Sequence, residues 1–359
     1  MLGIQQDRWR RPTGHYWIAA FFLSIFLVAI ALYYSATDQP PNAVGGNNRP
    51  SRQIYATYLT APSADQSVTS QPHGFGDDDP YFVGVRLLNY QLRHAPETRT
   101  RRGLPFVVFV TPAVEHAKRS VLLAEGADVV EIAHLGADWI HPPQQRWADV
   151  LTKLRMWEFE DAYDRVAFLD SDMLLTAPLD GLFDEPAAAA PRRTLDRPNA
   201  TLPDEAPLPG SYVMAGVPQA DLLQWPSFAR TPNYAQMNAG LMVFKPSRAL
   251  FAHYESVLRI PGRFDPTLPE QFLLNYVHRA DRSMPWSALD LSWQAQYPNA
   301  EDIASGVRVL HDKWWNPWIK NDTAELFHAW RWRMEGFYEG LRGEVYEPAY
   351  YRHEGTTEG

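Results

Sequence analysis

Two carboxylates two residues apart close an apolar run, Phe168-Leu169-Asp170-Ser171-Asp172. In an extended chain, side chains i and i+2 share a face, so Asp170 and Asp172 point the same way. Paired carboxylate oxygens suit a hard divalent cation, Mg²⁺ or Mn²⁺, above all when a diphosphate brings further oxygen ligands. His311 closes a second run, Val307-Arg308-Val309-Leu310. A neutral imidazole beside two carboxylates makes a mixed donor set that leans toward Mn²⁺. Taken singly, each has an ordinary reading: a solvated, Asp-capped turn for the triplet, and a structural or surface histidine, one of 11, for His311.

Such residues need elements to converge. Ile54–Thr60 is rich in aromatic and β-branched residues and predicts a first strand. Phe106–Val110 reads Phe-Val-Val-Phe-Val, a strand buried on both faces, and Val129–Ile132, Val166–Leu169, Leu241–Phe244 and Val307–Leu310 continue the series. Helices are predicted over 81–94, 114–125 and 144–161, the last from Trp147, Val150, Leu151 and Leu154 at i, i+3, i+4 and i+7. Another runs from Pro246-Ser247 to about Arg259, and Thr267 with Glu270 has capping-box spacing at the start of a further one. The alternation predicts an α/β body, Rossmann-like, with a mostly parallel sheet and helices on both faces. Acid pairs at the carboxyl ends of such strands face the ligand crevice. Residues 186–210 form a Pro- and Ala-rich excursion, read as a solvated insertion or a loop beside the site.

Composition narrows the chemistry. The 359 residues include no cysteine, which removes disulfides, thiolate metal sites and a cysteine nucleophile. A chain of this length can bury a sufficient core without them. Net charge is -9, and the dense basic run in the body, Arg99, Arg101 and Arg102, is short, so nucleic acid is not an expected partner.

Tyr16–Tyr34 is an uncharged stretch of 19 residues bounded by aromatic rings. As a helix it would span roughly 28 Å, close to a bilayer's hydrocarbon core. Arg8, Arg10 and Arg11 precede it, so the positive-inside bias puts the N-terminus in the cytoplasm. The expected arrangement is a cytoplasmic tail (1–15), an uncleaved transmembrane anchor (16–34), a stem (35–53), a catalytic domain (54–335) and a C-terminal tail (336–359). A cleaved signal peptide and a buried core helix compete with the anchor. The anchor reading predicts a single-pass type II protein with its body in the secretory lumen, the Golgi being the expected compartment. The sequons Asn199-Ala-Thr201 and Asn321-Asp-Thr323 fall on that side.

Six pieces, in order, resemble the glycogenin-like retaining glycosyltransferases, glycosyltransferase family 8, across most of residues 54–318. They are Leu151-Thr152-Lys153-Leu154 with Trp157; Asp170-Ser171-Asp172; Pro178-Leu179-Asp180 with Leu182-Phe183; Met237-Asn238-Ala239-Gly240-Leu241-Met242-Val243-Phe244; Glu270-Gln271 with Leu273-Leu274-Asn275; and His311 with Pro317-Trp318. The resemblance implies the GT-A type of nucleotide-diphospho-sugar transferase fold and transfer from a UDP-sugar with retention. Asp170, Asp172 and His311 would hold Mn²⁺, with Mg²⁺ as the alternative ion. Lys153 and Lys313 would add charge at the diphosphate. Asn238 and Gln271 would bind sugar or acceptor hydroxyls, and Glu270 would orient the donor sugar. Ser171, Tyr55, Thr57 and Thr60 would complete the nucleotide site, though the last three also read as ordinary strand residues. The acceptor would be a glycan, glycolipid or protein, and a homodimer is compatible with the pattern.

Three departures stand out. The family's usual Asp is Glu270, its Asn-Ser-Gly is Asn-Ala-Gly, and its lysine before Pro-Trp is Asn316. Lys313 is the nearest replacement for that lysine. No Tyr matches the self-glucosylating tyrosine of glycogenin. Two other readings are a non-catalytic sugar or nucleotide-sugar binder on the same fold and a sugar-phosphate nucleotidyltransferase. The latter would show a Gly-rich basic loop after its first strand, whereas no Gly or Lys follows Thr60 until Gly74. Trp286, Trp293, Trp314, Trp315 and Trp318 would either stack on sugars or fill the core.

Overall fold

Side-chain alternation organises the first strand, β1 (Gln53–Leu59). Ile54, Ala56 and Tyr58 pack into one apolar layer, and Tyr55 and Leu59 into the other. In this computed structural model the described residues are 52–61, 79–143, 147, 149–197, 201–220, 232–317 and 320–343. They all fall in one compact unit, Ser51–Gly359. The expected anchor, residues 35–51 of the stem and residues 344–359 of the C-terminal tail lie outside them. Among the described residues no helix is long and apolar enough to cross a membrane.

After β1 come helix α1 (Pro80–Arg93), β2 (Phe106–Val110), α2 (His116–Ala124), β3 (Asp128–Glu131) and β4 (Arg165–Leu169). The short β5 (Met173–Leu175), β6 (Arg192–Arg193) and β7 (Ser211–Tyr212) lead to β8 (Met214–Ala220) and the long β9 (Pro232–Phe244). Then follow α3 (Arg248–Leu258), α4 (Pro269–Val277), β10 (Ser287–Ala288), β11 (Ala295–Gln296), α5 (Ala300–Ala304), β12 (Val309–His311) and α6 (Lys320–Arg342).

The main sheet has the order β10-β8-β9-β4-β1-β2-β3. β3, β2, β1 and β4 run parallel, and β9 turns antiparallel to β4 and to β8. The open α/β sheet is therefore mostly parallel, as expected from its continuous apolar runs. Leu250, Tyr254 and Val257 of α3 and Leu273, Leu274 and Val277 of α4 cover one face. Val85, Leu88 and Leu92 of α1 and Leu122 of α2 cover the other. A small sheet, β11-β12-β5, lies under α1 and α6, where Leu174 and Leu310 meet Tyr90, Phe327, Trp330 and Met334.

Several local expectations are corrected. Residues Val150–Glu158 form a 3₁₀ helix, shorter than the α-helix predicted over 144–161. Its apolar face is retained: Trp157 stacks on Phe244 with ring centroids 3.7 Å apart. Thr267 does not cap α4. The helix starts at Pro269, a residue pre-set for a first turn, and its cap residue Leu268 makes no side-chain bond. Glu270 is thereby left to face inward. The last helix continues to Arg342, past residue 335. Its first turn contains Asn321, and Thr323 is buried, so this sequon does not sit in an open loop. The excursion is pinned by Glu205, which accepts from Tyr276 and Arg282 and pairs with Arg263 at 3.5 Å. Trp293 and Trp314 are core residues whose Nε1 atoms donate to Glu185 at 2.8 Å and Pro80 O at 3.0 Å.

His278 supplies an acid-sensitive joint between α3 and the chain after α4. Met284 O can only accept, so Nδ1 donates to it at 2.7 Å, and Nε2 accepts from the Tyr254 hydroxyl at 2.6 Å. Burial holds this imidazole down at about 4. The unfolded chain takes its proton near pH 6.5, so folding loses stability as pH falls from there toward 4. The loss approaches about 3 kcal/mol. His278→Asn is expected to flatten the pH dependence of the urea midpoint in that window, and an unchanged slope would remove His278 as its source.

Candidate active site

The cleft opens at the carboxyl ends of β1 and β4, where parallel strands present their ends to ligands. Its volume is about 280 Å³. Two registers bring the metal-ligand candidates together. Leu169 pairs with Leu241, and the Asp170 amide donates to Gly240 O at 2.9 Å. The chain then leaves the main sheet through Ser171-Asp172 and enters the small one at Met173, directly opposite His311. The Asp312 amide closes the junction on Asp172 O at 3.1 Å. One ligand atom from each of Asp170, Asp172 and His311 lies within 4.8 Å of the others.

Cations of the chain surround these acids. Lys313 Nζ is 3.1 Å from Asp172 Oδ2, and His311 Nε2 is 3.3 Å from Asp172 Oδ1. Lys153, carried by the 3₁₀ helix, lies 2.6 Å from Asp170 Oδ1 and 3.8 Å from Glu270 Oε2. Burial alone would push Asp172 up, but Lys313 and His311 outweigh it and hold the carboxyl well below the usual range. His311 is raised, because the pull of Asp172 exceeds the cost of burial. Lys153 stays charged for the same reason, through Asp170 first and Glu270 second. Glu270 goes the other way: burial pushes it up to about 7 against the opposing Lys153. Its Oε1 is buried with no partner. Two carboxylates and an imidazole with converging donor atoms fit a divalent metal ion.

An amide cluster forms the opposite wall. Asn238 on β9 donates from Nδ2 to Gln219 Oε1 at 3.1 Å, and Gln271 Nε2 donates to the same oxygen at 3.1 Å. Gln271 Oε1 accepts from the Ala239 amide at 3.0 Å. Thr60 reaches the cleft from the end of β1 and donates to Asp149 Oδ2 at 2.9 Å.

The structure thus brings Thr60, Lys153, Asp170, Ser171, Asp172, Asn238, Glu270, Gln271, His311 and Lys313 to one cleft. Tyr55 and Thr57 are corrections. Their parity on β1 turns them to the far side of the sheet, where both are fully buried. The Tyr55 hydroxyl donates to Asp180 at 3.0 Å, and Thr57 donates to Leu169 O at 2.7 Å. Tyr58, of the opposite parity, lines the cleft instead, with Trp147, Gln219 and Tyr297. Tyr58 was recoverable from the alternation of β1. Gln219 and Tyr297 carry no motif, and only tertiary placement reveals them.

Gly84 sets how closely α1 approaches the acid turn. A Cβ there would overlap the Ser171 carbonyl oxygen and lie 3.1 Å from its carbon. Glycine to alanine normally favours a helix, by about 1 kcal/mol. Here Gly84→Ala is expected to destabilise by about 1–3 kcal/mol, and to weaken divalent-metal binding by shifting Asp170 and Asp172. Chemical denaturation and a metal titration check both; a stabilised variant with unchanged metal binding would contradict this packing argument.

No family model matches this chain. An uncharacterized protein of Schizosaccharomyces pombe is 27% identical over 263 residues, spanning 67% of this chain and 69% of that protein. Galactinol synthase 6 of Arabidopsis thaliana is 28% identical over 260 residues, spanning 68% of this chain and 71% of that enzyme. The chain is similar to galactinol synthases over about two thirds of its length. Five of the six ordered motifs send residues to the same cleft, through Lys153, Asp170 to Asp172, Asn238, Glu270 with Gln271, and His311, whereas Pro178 to Phe183 packs on the far side of the sheet. Among solved structures, the galactosyltransferase LgtC, in complex with donor and acceptor sugar analogues, is similar at 14% identity and a TM-score of 0.47, covering 81% of this chain and 100% of that one.

Proposed function

We propose that this protein is a retaining glycosyltransferase that moves a hexose or pentose from a UDP-sugar to a hydroxyl acceptor in the presence of Mn²⁺. The observation that carries the reading is the convergence of Asp170, Asp172 and His311 in a cleft that also holds Lys153 and Lys313.

Asp170, Asp172 and His311 would hold the ion, which when bound supplies Lewis-acid stabilisation of charge on the departing diphosphate. The chain's own cations do the rest of that work. Lys313 and Lys153 stand beside the acids, placed to meet phosphate oxygens as negative charge develops. Lys313 takes the role of the lysine that Asn316 lacks. Glu270 orients the donor sugar, and Asn238 and Gln271 offer amide groups to sugar or acceptor hydroxyls. In a front-face transfer, the bond from the anomeric carbon to the phosphate oxygen breaks. The acceptor oxygen bonds to that carbon on the same face, and its proton passes to the leaving phosphate. No second carboxylate nucleophile is required, unlike the retaining glycosidases.

The test is release of UDP from a panel of UDP-sugars with Mn²⁺. Donor-dependent UDP release that requires Mn²⁺ is expected. Binding of UDP with no turnover of any donor would favour the non-catalytic reading instead.

Tyr16–Tyr34 and the arginines before it support a type II membrane anchor with this cleft in the secretory lumen. Protease added to sealed vesicles should leave the body intact; a digested body would reverse the topology.

A further inference from the structure

Gln294 stands behind the metal cluster, not in the cleft. It is 3% exposed and lies between the turn Leu291–Trp293 and β11. Its Nε2 donates to Asn238 Oδ1 at 2.9 Å and is 2.8 Å from His311 Nδ1. Its Oε1 is buried with no partner. The other ring nitrogen, Nε2, faces Asp172. The ring is also held sterically, since a Cβ on Gly240 would lie 2.8 Å from both Nδ1 and the Met173 Cε. The imidazole thus has the acid on one side and the Gln294 amide on the other.

We propose that Gln294 is the positioning residue of the metal centre, holding the His311 ring by Nδ1 so that Nε2 is offered to the cation. The inference rests on the metal reading above. A ligating nitrogen carries no proton, so the neutral ring keeps its proton on Nδ1 and needs an acceptor there. In the structure the Gln294 N–H faces Nδ1. Turning the Gln294 amide over would bring Oε1, otherwise unpartnered, to the Nδ1 proton. Asn238 Oδ1 gives up the Gln294 N–H and keeps the Gly240 amide at 3.0 Å.

The test is Mn²⁺ titration of the metal-free protein, with free ion read by electron paramagnetic resonance and thermal unfolding in chelator as the check on folding. Gln294→Leu is expected to weaken Mn²⁺ binding by about 10–100-fold while the metal-free unfolding midpoint is kept. Gln294→Glu, a pure acceptor, is expected to tighten it by about tenfold. The same Glu substitution in a His311→Ala background should change nothing. A folded Leu variant that binds Mn²⁺ like the parent, or a Glu variant as weak as the Leu one, overturns the proposal. Should the Leu variant not fold, the Glu pair decides: an equal effect with and without His311 overturns it. A parent that binds no Mn²⁺ overturns the metal reading and this inference together. Parent binding that is lost in Asp172→Ala but indifferent to Gln294 overturns this inference alone.

Discussion

Asp172→Ala is expected to lower metal-dependent donor turnover by roughly a thousandfold, the scale of a Lewis acid worth several kcal/mol. Asp172 is the hinge of the site. Its carboxylate meets Lys313 and His311 at once, and its backbone oxygen ties β5 to the chain after β12. Removing the carboxylate takes away one metal ligand and releases the two cations that it aligns. The backbone junction survives, so the variant should fold. Steady-state kcat/KM for a UDP-sugar, with and without Mn²⁺, reads the effect. A kcat/KM equal to that of the parent would end the metal assignment at this residue.

Lys153→Met is expected to cost stability as well as activity. Lys153 is nearly buried, with a 9% exposed side chain, and it neutralises Asp170 and Glu270 together. Its ammonium also lies 5.1 Å from the centre of the Phe168 ring. Methionine fills the space and supplies no charge. Removing one partner of a buried ion pair costs about 3–5 kcal/mol, and the partial exposure of Asp170 places this case near the lower end. The pH dependence separates charge from packing. Glu270 is already raised to about 7 by burial. The unfolded glutamate ionises near pH 4.3, so this residue opposes folding increasingly as pH rises through its folded value. Without Lys153 the folded value climbs further and the penalty extends to higher pH. The stability difference between parent and variant should therefore be larger at pH 8 than at pH 6. A difference that does not change with pH would assign Lys153 a packing role only.

The parts of this fold that were legible in sequence are those with a strong local cause. Phe106–Val110 is apolar without interruption because both faces of β2 are covered, and its bounds in the structure are the expected ones. Asp170 and Asp172 follow such a strand, and His311 ends another, so their strand-end placement was readable. Their convergence was not, because it depends on β5, a three-residue strand whose pairing with β12 has no sequence signature of its own. The length of the sheet edge was also hidden: Leu241–Phe244 is the apolar end of a 13-residue strand whose first half is polar and partly exposed. Tyr55 and Thr57 follow their alternative reading as ordinary strand residues, because the parity of β1 turns both away from the cleft. The capping-box spacing of Thr267 and Glu270 is not used, because Pro269 starts the helix and leaves the Glu270 carboxylate to Lys153. Gln219 and Gln294 have no motif, since an amide serving another side chain needs only to be within reach.

Calorimetric titration of UDP into the protein, once with Mn²⁺ and once with a chelator, tests the central claim most directly. Saturable binding with Mn²⁺ that disappears in chelator, and in Asp172→Ala with Mn²⁺ restored, is the predicted result. Binding of equal strength in chelator, or no binding in either condition, would contradict a metal-dependent UDP-sugar site at Asp170, Asp172 and His311.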